Sequence, residues 1–412
     1  GQRAELLHGL AKRIRDNVEA IAQLETRNVG KPIGDARWEA DAGAKVFEYY
    51  AGAIGHLCGQ TIPVARGGFD FTLRQPMGVI AAITPWNFPF LIACWKVAPA
   101  LAAGNSVVLK PASLTPLTAL RLGQLAQEAG LPDGVLQVLP GSGAEAGNAL
   151  ATHPLVRKIG FTGSTEVGAT IMKLAADDIK RVSLELGGKS PNIVFADADW
   201  QRAAAESPMS VFANTGQDCC ARSRMFIEQP IFDDFVDHFV AATEALKIGN
   251  PTDDTTQVGP MVCASQRELS ESFVNEARNE ERNIRTGGDR PDGNGFYLNP
   301  AVITGSETGD RAWREEIFGP VVCLRPFTDE GEMLQEVNDT NFGLSGTVWS
   351  KDLNRALRVA RQVESGVISV NSHSSVHTEA PFGGFKRSGL GRDLGMSAME
   401  ACTEVKNIYV GE

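Results

Sequence analysis

The 412-residue sequence contains no apolar run that approaches the roughly 18 residues expected of a membrane-spanning helix. It has no cluster of basic residues either. Its 39 lysines and arginines are outnumbered by 50 aspartates and glutamates, which gives a formal net charge of −11. A nucleic-acid groove and an anionic membrane surface both attract positive charge. We therefore expect neither nucleic acid nor a membrane as the main partner.

The seven cysteines form no recognisable framework, because their number is odd and no C-x-x-C spacing occurs. Neither structural zinc nor a set of disulfides is therefore predicted. Free thiols are typical of a reducing compartment. Residues 1–15 also lack the apolar core of a signal peptide. We expect a cytoplasmic protein.

Glycine is abundant, with 43 residues where average usage of about 7% would give roughly 29. Such an excess is typical of tight turns and close backbone approaches, and so of a ligand site built from loops. Hydrophobic residues at 43% and charged residues at 22% are near the averages of globular proteins. At about 150 residues per domain, the length predicts two to three domains.

The N-terminal segment carries a helical repeat. Apolar residues recur there at spacings of three and four, at Leu7, Leu10, Ile14, Val18 and Ile21. This pattern predicts one amphipathic helix that ends at Gly30, and a less regular helix is expected over 35–57. Alternation over 62–74, with Gly67-Gly68 in the middle, predicts a β-hairpin.

From Gly78 onward, apolar runs alternate with helical patterns. The first five runs begin at residues 78, 105, 135, 156 and 181, and further strands are predicted near 223–228, 320–326, 344–350 and 366–371. Near-continuous β-branched runs separated by helices are typical of a parallel sheet covered on both faces. We therefore expect an α/β fold with a doubly wound parallel-sheet domain, a second α/β domain and a small bridging β-sheet.

These elements divide the chain into three predicted units. Residues 1–61 and 75–186 form the first domain. Residues 187–401 form the second, whose C-terminal part returns to the first. Residues 62–74 and 402–412 form the bridging sheet. Because an exposed strand with unpaired edges calls for a partner, we expect a homodimer or homotetramer built through this sheet.

Ligands of open parallel sheets bind where loops leave the carboxyl ends of the strands. In the first such loop, two prolines fix the backbone around Asn87. Its carboxamide is expected either to bond its own backbone in a rigid turn or to serve as an oxyanion donor. Both roles stay open on the residues alone.

Two glycine-rich turns also follow strands. Gly141-Ser142-Gly143 with Gly147 resembles the dinucleotide fingerprint but is one residue too long. The turn that starts at Gly163 opens a helix, and its hydroxyls and free helix N–H groups suit a pyrophosphate. Such turns occur without a ligand as well, so a nucleotide site and a plain structural turn both stay open.

Glu185 and Cys219 are the candidates for acid–base and nucleophilic chemistry. Glu185 ends an apolar strand and is either a surface carboxylate at a bend or a partly desolvated general base. Cys219 lies beside Cys220 in a polar loop and is either a small buried hydrophobe or a nucleophile that needs a base or oriented dipoles. The six histidines have no metal-binding spacing, and we expect no metal.

Taken together, these motifs resemble the aldehyde dehydrogenase superfamily. The similarity runs along nearly the whole chain, in TPWNFP at 84–89, LKP at 109–111, FTGSTEVG at 161–168, LELGGKSPNIV at 184–194, GQDCC at 216–220, EEIFGPV at 315–321 and PFGGFKRSGLGRDLG at 381–395. The specificity of ELGGKSP, and the order of these blocks, makes a chance resemblance negligible. The resemblance implies that the chain oxidises a small-molecule aldehyde to a carboxylic acid with NAD(P)+, with a cofactor domain followed by a catalytic domain.

The resemblance also implies a mechanism. The thiolate of Cys219 attacks the aldehyde carbon, and the side chain of Asn87 holds the oxyanion together with the backbone N–H of Cys219. Collapse of this thiohemiacetal transfers hydride to C4 of a nicotinamide. Glu185 then activates the water that hydrolyses the thioester.

Contacts to the cofactor follow from the same resemblance. Glu316 matches the contact to the nicotinamide-side ribose, with Phe318 packed beside it, and Lys110 matches the contact to the adenine-side ribose. The implied cofactor-binding residues are Thr84, Trp86, Lys110, Ser113, Gly141, Gly163, Ser164, Leu186, Glu316 and Phe318. Of these, Ser164 and Trp86 are expected to line the pyrophosphate.

Ser113 departs from the pattern of NAD-preferring relatives, which often carry a glutamate three residues after the lysine. That glutamate holds both ribose hydroxyls. The serine removes a charge that would repel a 2′-phosphate, and Lys110 is expected to pair with such a phosphate. We therefore expect NADP to be tolerated or preferred beside NAD.

Asp218, directly before Cys219, is a second departure, because many relatives carry a small or apolar residue there. A carboxylate at this position opposes thiolate formation. It is expected either to attract a cationic aldehyde, such as an aminoaldehyde, or to point away and cap a turn. Family members also usually carry several tens of residues before the first helix of this sequence, and we expect full activity to depend on them.

Three alternatives to this function stay open. One is a dehydrogenase that passes the thioester to coenzyme A, although such relatives usually lack a hydrolytic carboxylate like Glu185. Another is a catalytically impaired scaffold or binding protein of the same fold. The third is a cysteine hydrolase that acts on esters, which would not need Glu316, Lys110 or the glycine turns.

Overall fold

The computed structural model describes residues 1–411, which hold fourteen α-helices and sixteen strands. The helices are α1 Gln2–Asp16, α2 Val18–Val29, α3 Ile33–Ala53, α4 Pro89–Ala102, α5 Leu117–Glu128, α6 Asn148–Thr152, α7 Thr165–Ala176, α8 Trp200–Phe212, α9 Phe232–Glu244, α10 Ala264–Asn279, α11 Arg311–Arg314, α12 Glu330–Asn338, α13 Leu353–Gln362 and α14 Gly395–Glu400. The strands are β1 Thr61–Ile62, β2 Phe69–Pro76, β3 Val79–Ile83, β4 Ser106–Lys110, β5 Leu136–Val138, β6 Val156–Thr162, β7 Arg181–Glu185, β8 Pro191–Val194, β9 Arg224–Glu228, β10 Asn283–Thr286, β11 Ala301–Thr304, β12 Val321–Phe327, β13 Ser345–Trp349, β14 Val367–Val370, β15 Gly389–Leu390 and β16 Thr403–Val410. Within this range, no helix combines the length and apolar character needed to cross a bilayer.

The first sheet has six strands in the order β15-β7-β6-β3-β4-β5. The five strands predicted from the apolar runs pair in parallel, and β15 joins antiparallel to β7. Successive residues of central β3 point to opposite faces. Ile80 and Ala82 pack in the core under α1, α3, α4 and α5, whereas Ala81 and Ile83 pack in the core under α6 and α7. The doubly wound α/β class predicted from the sequence is confirmed.

The second sheet has seven strands in the order β10-β11-β12-β9-β8-β13-β14. All neighbours pair in parallel except β10, which runs antiparallel to β11. Strands β9, β12, β13 and β14 lie where apolar runs predict them. Strands β8, β10 and β11, of four residues each, were not predicted.

The third sheet is small and has the order β1-β2-β16. The hairpin expected over 62–74 is present, although β1 has only two residues, and β16 pairs antiparallel along the whole of β2. Phe69, Val405 and Tyr409 are more than half exposed on this sheet. Residue 412 of the predicted bridging unit lies outside the described residues.

The single N-terminal helix predicted up to Gly30 is wrong, because the chain forms two helices, α1 and α2. They meet at Asn17, whose backbone has φ −119° and ψ 13° and whose side-chain amide donates to the carbonyl of Arg13 at 2.8 Å. An asparagine side chain that bonds nearby backbone competes with the helical ladder. The predicted end of the helical segment is observed, since Gly30 closes α2 at a left-handed φ of 92°.

Candidate active site

A cleft with a volume of about 710 Å³ opens at the carboxyl ends of β3, β4, β6 and β7. This is the edge of a parallel sheet at which ligands bind. The opposite wall comes from chain segments that precede strands of the second sheet, around Cys219 and Glu316–Phe318. The cleft is therefore a crevice between the two large sheets.

All but two of the residues predicted for the site line this cleft. They are Thr84, Trp86, Asn87, Lys110, Gly163, Ser164, Glu185, Leu186, Cys219, Glu316 and Phe318. The other two, Ser113 and Gly141, do not line it. Ser113 is exposed, and its hydroxyl donates to the carbonyl of Gly141 at 3.0 Å, which joins the loops after β4 and β5.

A second cavity, of about 500 Å³, meets the cleft at Cys219 and Glu185. Its walls come from α3, α4, α8, the Cys219 loop and the segment between β14 and β15. Besides Glu185, they include four aromatic side chains and three carboxylates: Trp38, Phe88, Trp95, Phe382, Asp35, Glu206 and Asp218. Cys219 thus lies where the first cleft and the second cavity meet. It is half-buried and open to both, whereas its neighbour Cys220 is buried in the core.

The loop that carries Cys219 is held in a strained shape. Asn214 and Thr215 follow α8 with positive φ values of 48° and 59°, a conformation that costs free energy for residues with a side chain. Gly216 continues with φ 70° and packs so closely on the carbonyl of Gly319 that a side chain would collide with it. Tertiary contacts must therefore enforce this path.

Those contacts are hydrogen bonds from three side chains of the loop. The Asn214 amide donates to the carbonyl of Asn87 at 3.0 Å, and the Thr215 hydroxyl donates to the carbonyl of Gly259 at 2.9 Å. The Gln217 side-chain oxygen accepts the N–H of Val262 at 2.9 Å. No role was predicted for these three residues from the sequence. Gln217 belongs to a recognised motif, but no local pattern marks Asn214 or Thr215.

Asn87 is buried, and its amide nitrogen donates to the carbonyl of Gln217 at 2.9 Å. This bond joins Asn87 to another loop. The side chain is therefore held by a distant backbone carbonyl and not by the backbone of its own turn. An amide nitrogen carries two hydrogens, and this bond uses one of them. The second N–H is left to serve as a donor, and Asn87 lines the same cleft as Cys219.

Glu185 ends β7 in a buried position, with 3% of its surface exposed and no hydrogen-bond partner for either carboxylate oxygen. Burial raises the pKa of this carboxyl well above its ordinary value, and the nearby charge of Asp393 adds to the rise. Lys96, which pairs with Asp393 at 2.8 Å, partly opposes it. A carboxyl whose pKa has moved toward neutrality is suited to accept a proton from water.

The Cys219 thiol is not ionised by default. A hydrogen bond with the side chain of Cys220 raises its pKa well above the ordinary value, and burial and the charges of Asp218 and Glu316 act in the same direction. A thiol of this kind needs local help to become the thiolate that reacts. The loop must therefore supply compensating dipoles or charges.

The first cleft fits a dinucleotide. Ser164 caps α7 by accepting the N–H of Val167 at 3.3 Å, and residues of this helix start line the cleft, where free backbone N–H groups suit a diphosphate. Glu316 accepts the N–H of Gly188 at 2.9 Å, and burial raises the pKa of its carboxyl to about 7. Its free oxygen suits a ribose hydroxyl, and the rings of Trp86 and Phe318 meet edge to face at 5.1 Å to wall the cleft.

Comparison with known proteins decides between the functions that this geometry allows. The model of the aldehyde dehydrogenase family matches residues 1–408. The chain belongs to the aldehyde dehydrogenase family. The predicted fold, the predicted oxidation of an aldehyde and the predicted use of NAD(P)+ are thereby confirmed.

Individual members of the aldehyde dehydrogenase family resemble the chain over almost its full length. It is 43% identical to aminoaldehyde dehydrogenase 2, peroxisomal, from Pisum sativum, over 100% of this chain and 83% of that protein. It is also 43% identical to betaine aldehyde dehydrogenase 1 from Oryza sativa, over 98% of this chain and 82% of that protein.

Solved structures of the same family superimpose closely on the chain. The NAD+ complex of an aldehyde dehydrogenase from Bacillus cereus has a TM-score of 0.97 at 38% identity, and the match covers 99% of this chain and 84% of that one. Betaine aldehyde dehydrogenase from Staphylococcus aureus, also with NAD+, has a TM-score of 0.96 at 38% identity and covers 99% and 82%.

Proposed function

We propose that this aldehyde dehydrogenase acts through a thioester on Cys219, which Glu185 hydrolyses by activating water. The observation that carries the proposal is the position of Cys219, at the junction of the two cavities, with Glu185 lining both. Because the first cleft has the contacts that suit a dinucleotide, the aldehyde would bind in the second cavity. The two substrates would then meet at the sulfur.

The side chains at this junction divide the reaction between them. The Cys219 sulfur adds to the aldehyde carbon, and the free N–H of Asn87 and the backbone N–H of Cys219 donate to the oxygen that becomes negative. The nicotinamide supplies the hydride acceptor when it is bound. Glu185 then takes a proton from the water that attacks the thioester, since the raised pKa of its carboxyl strengthens it as a base.

This function is tested by turnover and product analysis of the whole chain. We expect an aliphatic aldehyde to yield reduced cofactor and an equal amount of free carboxylic acid, with no requirement for coenzyme A. Formation of an acyl-coenzyme A in place of the acid would favour the acylating alternative. Ester hydrolysis without any aldehyde oxidation would instead favour the hydrolase.

We further propose that a cationic aldehyde is the preferred substrate. Asp35 and Trp38, one turn apart on α3, line the second cavity, and a carboxylate beside an aromatic ring attracts a cation. Asp218 also lines this cavity, although one of its oxygens accepts the N–H of Cys220 at 2.8 Å, as the turn-capping alternative predicts. Relatives named aminoaldehyde and betaine aldehyde dehydrogenases support the same substrate class.

ω-Aminobutanal should therefore give a higher kcat/KM than butanal, which has the same carbon chain without the charge. Asp35→Asn should reduce kcat/KM for the amino compound about tenfold, the effect of losing roughly 1.4 kcal/mol of attraction, and should leave butanal almost unchanged. Steady-state kinetics on both aldehydes with both proteins check this. Equal loss for the two aldehydes, or a preference of the parent for butanal, would contradict the cationic substrate.

We propose that NADP is accepted as well as NAD. Ser113 places an uncharged, exposed side chain in the loop after β4, close to buried Lys110. Ser113→Glu should lower kcat/KM for NADP by about tenfold through repulsion of the 2′-phosphate, while kcat/KM for NAD stays the same or rises. The ratio of the two constants in the parent and in the variant is the measurement. A parent that uses NAD alone would refute the role given to Ser113.

We also propose that the small sheet joins copies of the chain, as a dimer or a dimer of dimers. Strand β16 is an edge of eight residues, and Phe69, Val405 and Tyr409 expose apolar surface beside it. Val405→Asp should lower the molar mass found by light scattering toward that of one chain. A parent that is already monomeric would rule this out.

The cytoplasmic location and the residue bounds of the three units remain predictions. The three separate sheets support the proposed division of the chain. The cysteine pattern of the sequence supports the proposed location.

A further inference from the structure

Asp218 raises a chemical problem for the proposed nucleophile. Its carboxylate precedes Cys219, and a negative charge there disfavours the thiolate. The carboxylate is also held in place, because one of its oxygens accepts the N–H of Cys220 at 2.8 Å. An enzyme that reacts through Cys219 therefore needs an opposing charge near this loop.

Arg222 contacts the same Cys220, at its carbonyl group. Its side chain is buried, and its Nη1 donates to the carbonyl of Cys220 at 2.6 Å, while its Nε donates to the hydroxyl of Thr347 on β13 at 3.2 Å. Cys220 is thus held at its N–H by a carboxylate and at its carbonyl by a guanidinium. Arg222 also lines the second cavity, and its Nη2 has no hydrogen-bond partner among residues 1–411.

We propose that Arg222 is a positioning residue that offsets the charge of Asp218 and fixes the Cys220–Ala221 peptide, so that Cys219 ionises facing the junction of the two cavities. The proposal rests on Cys219 being the nucleophile. It gives a role to the buried arginine three residues after the sulfur. It also explains how an aspartate is tolerated directly before it.

The electrostatic influence of Arg222 reaches both neighbours. Burial raises the pKa of the Asp218 carboxyl, and the N–H of Cys220 and the charge of Arg222 oppose that rise. Burial lowers the pKa of the Arg222 guanidinium, and the charges of Cys220, Asp218 and Cys219 oppose that change. The charges of Asp218, Cys219 and Arg222 therefore interact electrostatically within this loop.

Charged groups on other elements face the same site. Glu316, in the loop before β12, raises the pKa of the Cys219 thiol, and Lys31, in the loop after α2, partly opposes the burial-driven rise in the pKa of Asp218. Glu185 lies at the end of β7 beside Cys220. His373, whose pKa burial and Arg222 together lower to about 3, stays neutral next to the guanidinium. Arg222 thus supplies positive charge to the loop that these carboxylates face.

The test measures the apparent pKa of Cys219 from the pH dependence of inactivation by iodoacetamide. Mass spectrometry identifies the alkylated residue. Arg222→Met should raise the apparent pKa by about one unit, which leaves about tenfold less thiolate at neutral pH, and should lower kcat/KM by a similar factor. Asp218→Asn should lower the apparent pKa. The double variant should return close to the parent value, because both charges are then absent.

Arg222→Lys serves as the matched control, because it keeps the charge but loses the forked geometry. It should restore most of the thiol pKa but only part of kcat. A merely structural Arg222 would leave the pKa of Cys219 unchanged in Arg222→Met, or would shift it in the same direction as Asp218→Asn, and either result overturns the proposal. Cofactor binding, followed by fluorescence titration, establishes that each variant is folded.

Failure of the proposed function would be recognisable separately. If the parent were inactivated by alkylation of a residue other than Cys219, the nucleophile itself would be wrong. If Cys219 were the alkylated residue and its apparent pKa were the same in the parent and in Arg222→Met, only the role of Arg222 would be wrong.

Discussion

Replacement of Cys219 by alanine should abolish aldehyde oxidation, with kcat falling by about 10⁴-fold or more. No other side chain at the junction of the two cavities has a sulfur nucleophile in an open position, since Cys220 is buried with 6% of its surface exposed. The variant should still bind the cofactor, because the first cleft keeps Glu316, Ser164 and its aromatic walls. Initial rates and a fluorescence titration with NAD measure the two properties independently.

Cys220→Ala is the matched control for this experiment. Removal of the neighbouring thiol also removes the hydrogen bond that most raises the pKa of Cys219, so more of Cys219 should be ionised at a given pH. We expect kcat to stay within a few-fold of the parent. The nucleophile would be misassigned if Cys220→Ala were inactive and Cys219→Ala were not.

The side chains at this junction come from distant parts of the sequence, yet most were predictable. Asn87, Glu185 and Cys219 each follow or end a recognisable element, and the family blocks around them carry strong signatures. Parallel pairing brings the loops of Asn87 and Glu185 to one edge of the first sheet, so the alternation of apolar runs and helices was sufficient to place these two together. Cys219 lies on the opposite wall, in a loop before β9 of the second sheet, and only the family block around it indicated its place in the site.

Other features depend on tertiary contacts that leave no local signal. Asn214 and Thr215 have positive φ although neither is glycine, and only their bonds to the distant carbonyls of Asn87 and Gly259 hold that shape. The break at Asn17 is a side-chain competition that helical periodicity does not register. In the sequence, Arg222 likewise resembles any charged surface residue. Its hydrogen bond to the carbonyl of Cys220 is visible only in the folded structure.

Glu185→Gln should separate the two halves of the reaction. Glutamine matches the shape of glutamate but accepts no proton, so thioester formation should proceed and its hydrolysis should slow. We expect a burst of about one reduced cofactor per active site, followed by a steady rate about 10²–10⁴-fold below that of the parent. Rapid mixing with absorbance detection resolves the burst, and mass spectrometry should find the acyl group on Cys219.

The pH dependence of the parent supplies a second readout of the same side chain. Because Glu185 must be ionised to act as a base, the rate of thioester hydrolysis in the parent should rise with pH through the raised pKa of this carboxyl. This increase in the rate of thioester hydrolysis with pH should be absent in Glu185→Gln. A variant that hydrolyses its thioester at the parent rate, with the same pH dependence, would show that another group activates the water.

Stability should change in the opposite direction to activity. A buried carboxyl whose folded-state pKa is raised above its unfolded value is protonated in both states at low pH and costs nothing there. As pH rises above the unfolded pKa toward the folded one, the unfolded state ionises more readily, and stability is lost. Glu185→Gln removes this loss, so the Tm of the variant should exceed that of the parent at neutral pH and match it near pH 4. A lower Tm at neutral pH would mean that the carboxylate has a stabilising partner, and its two unbonded oxygens argue against one.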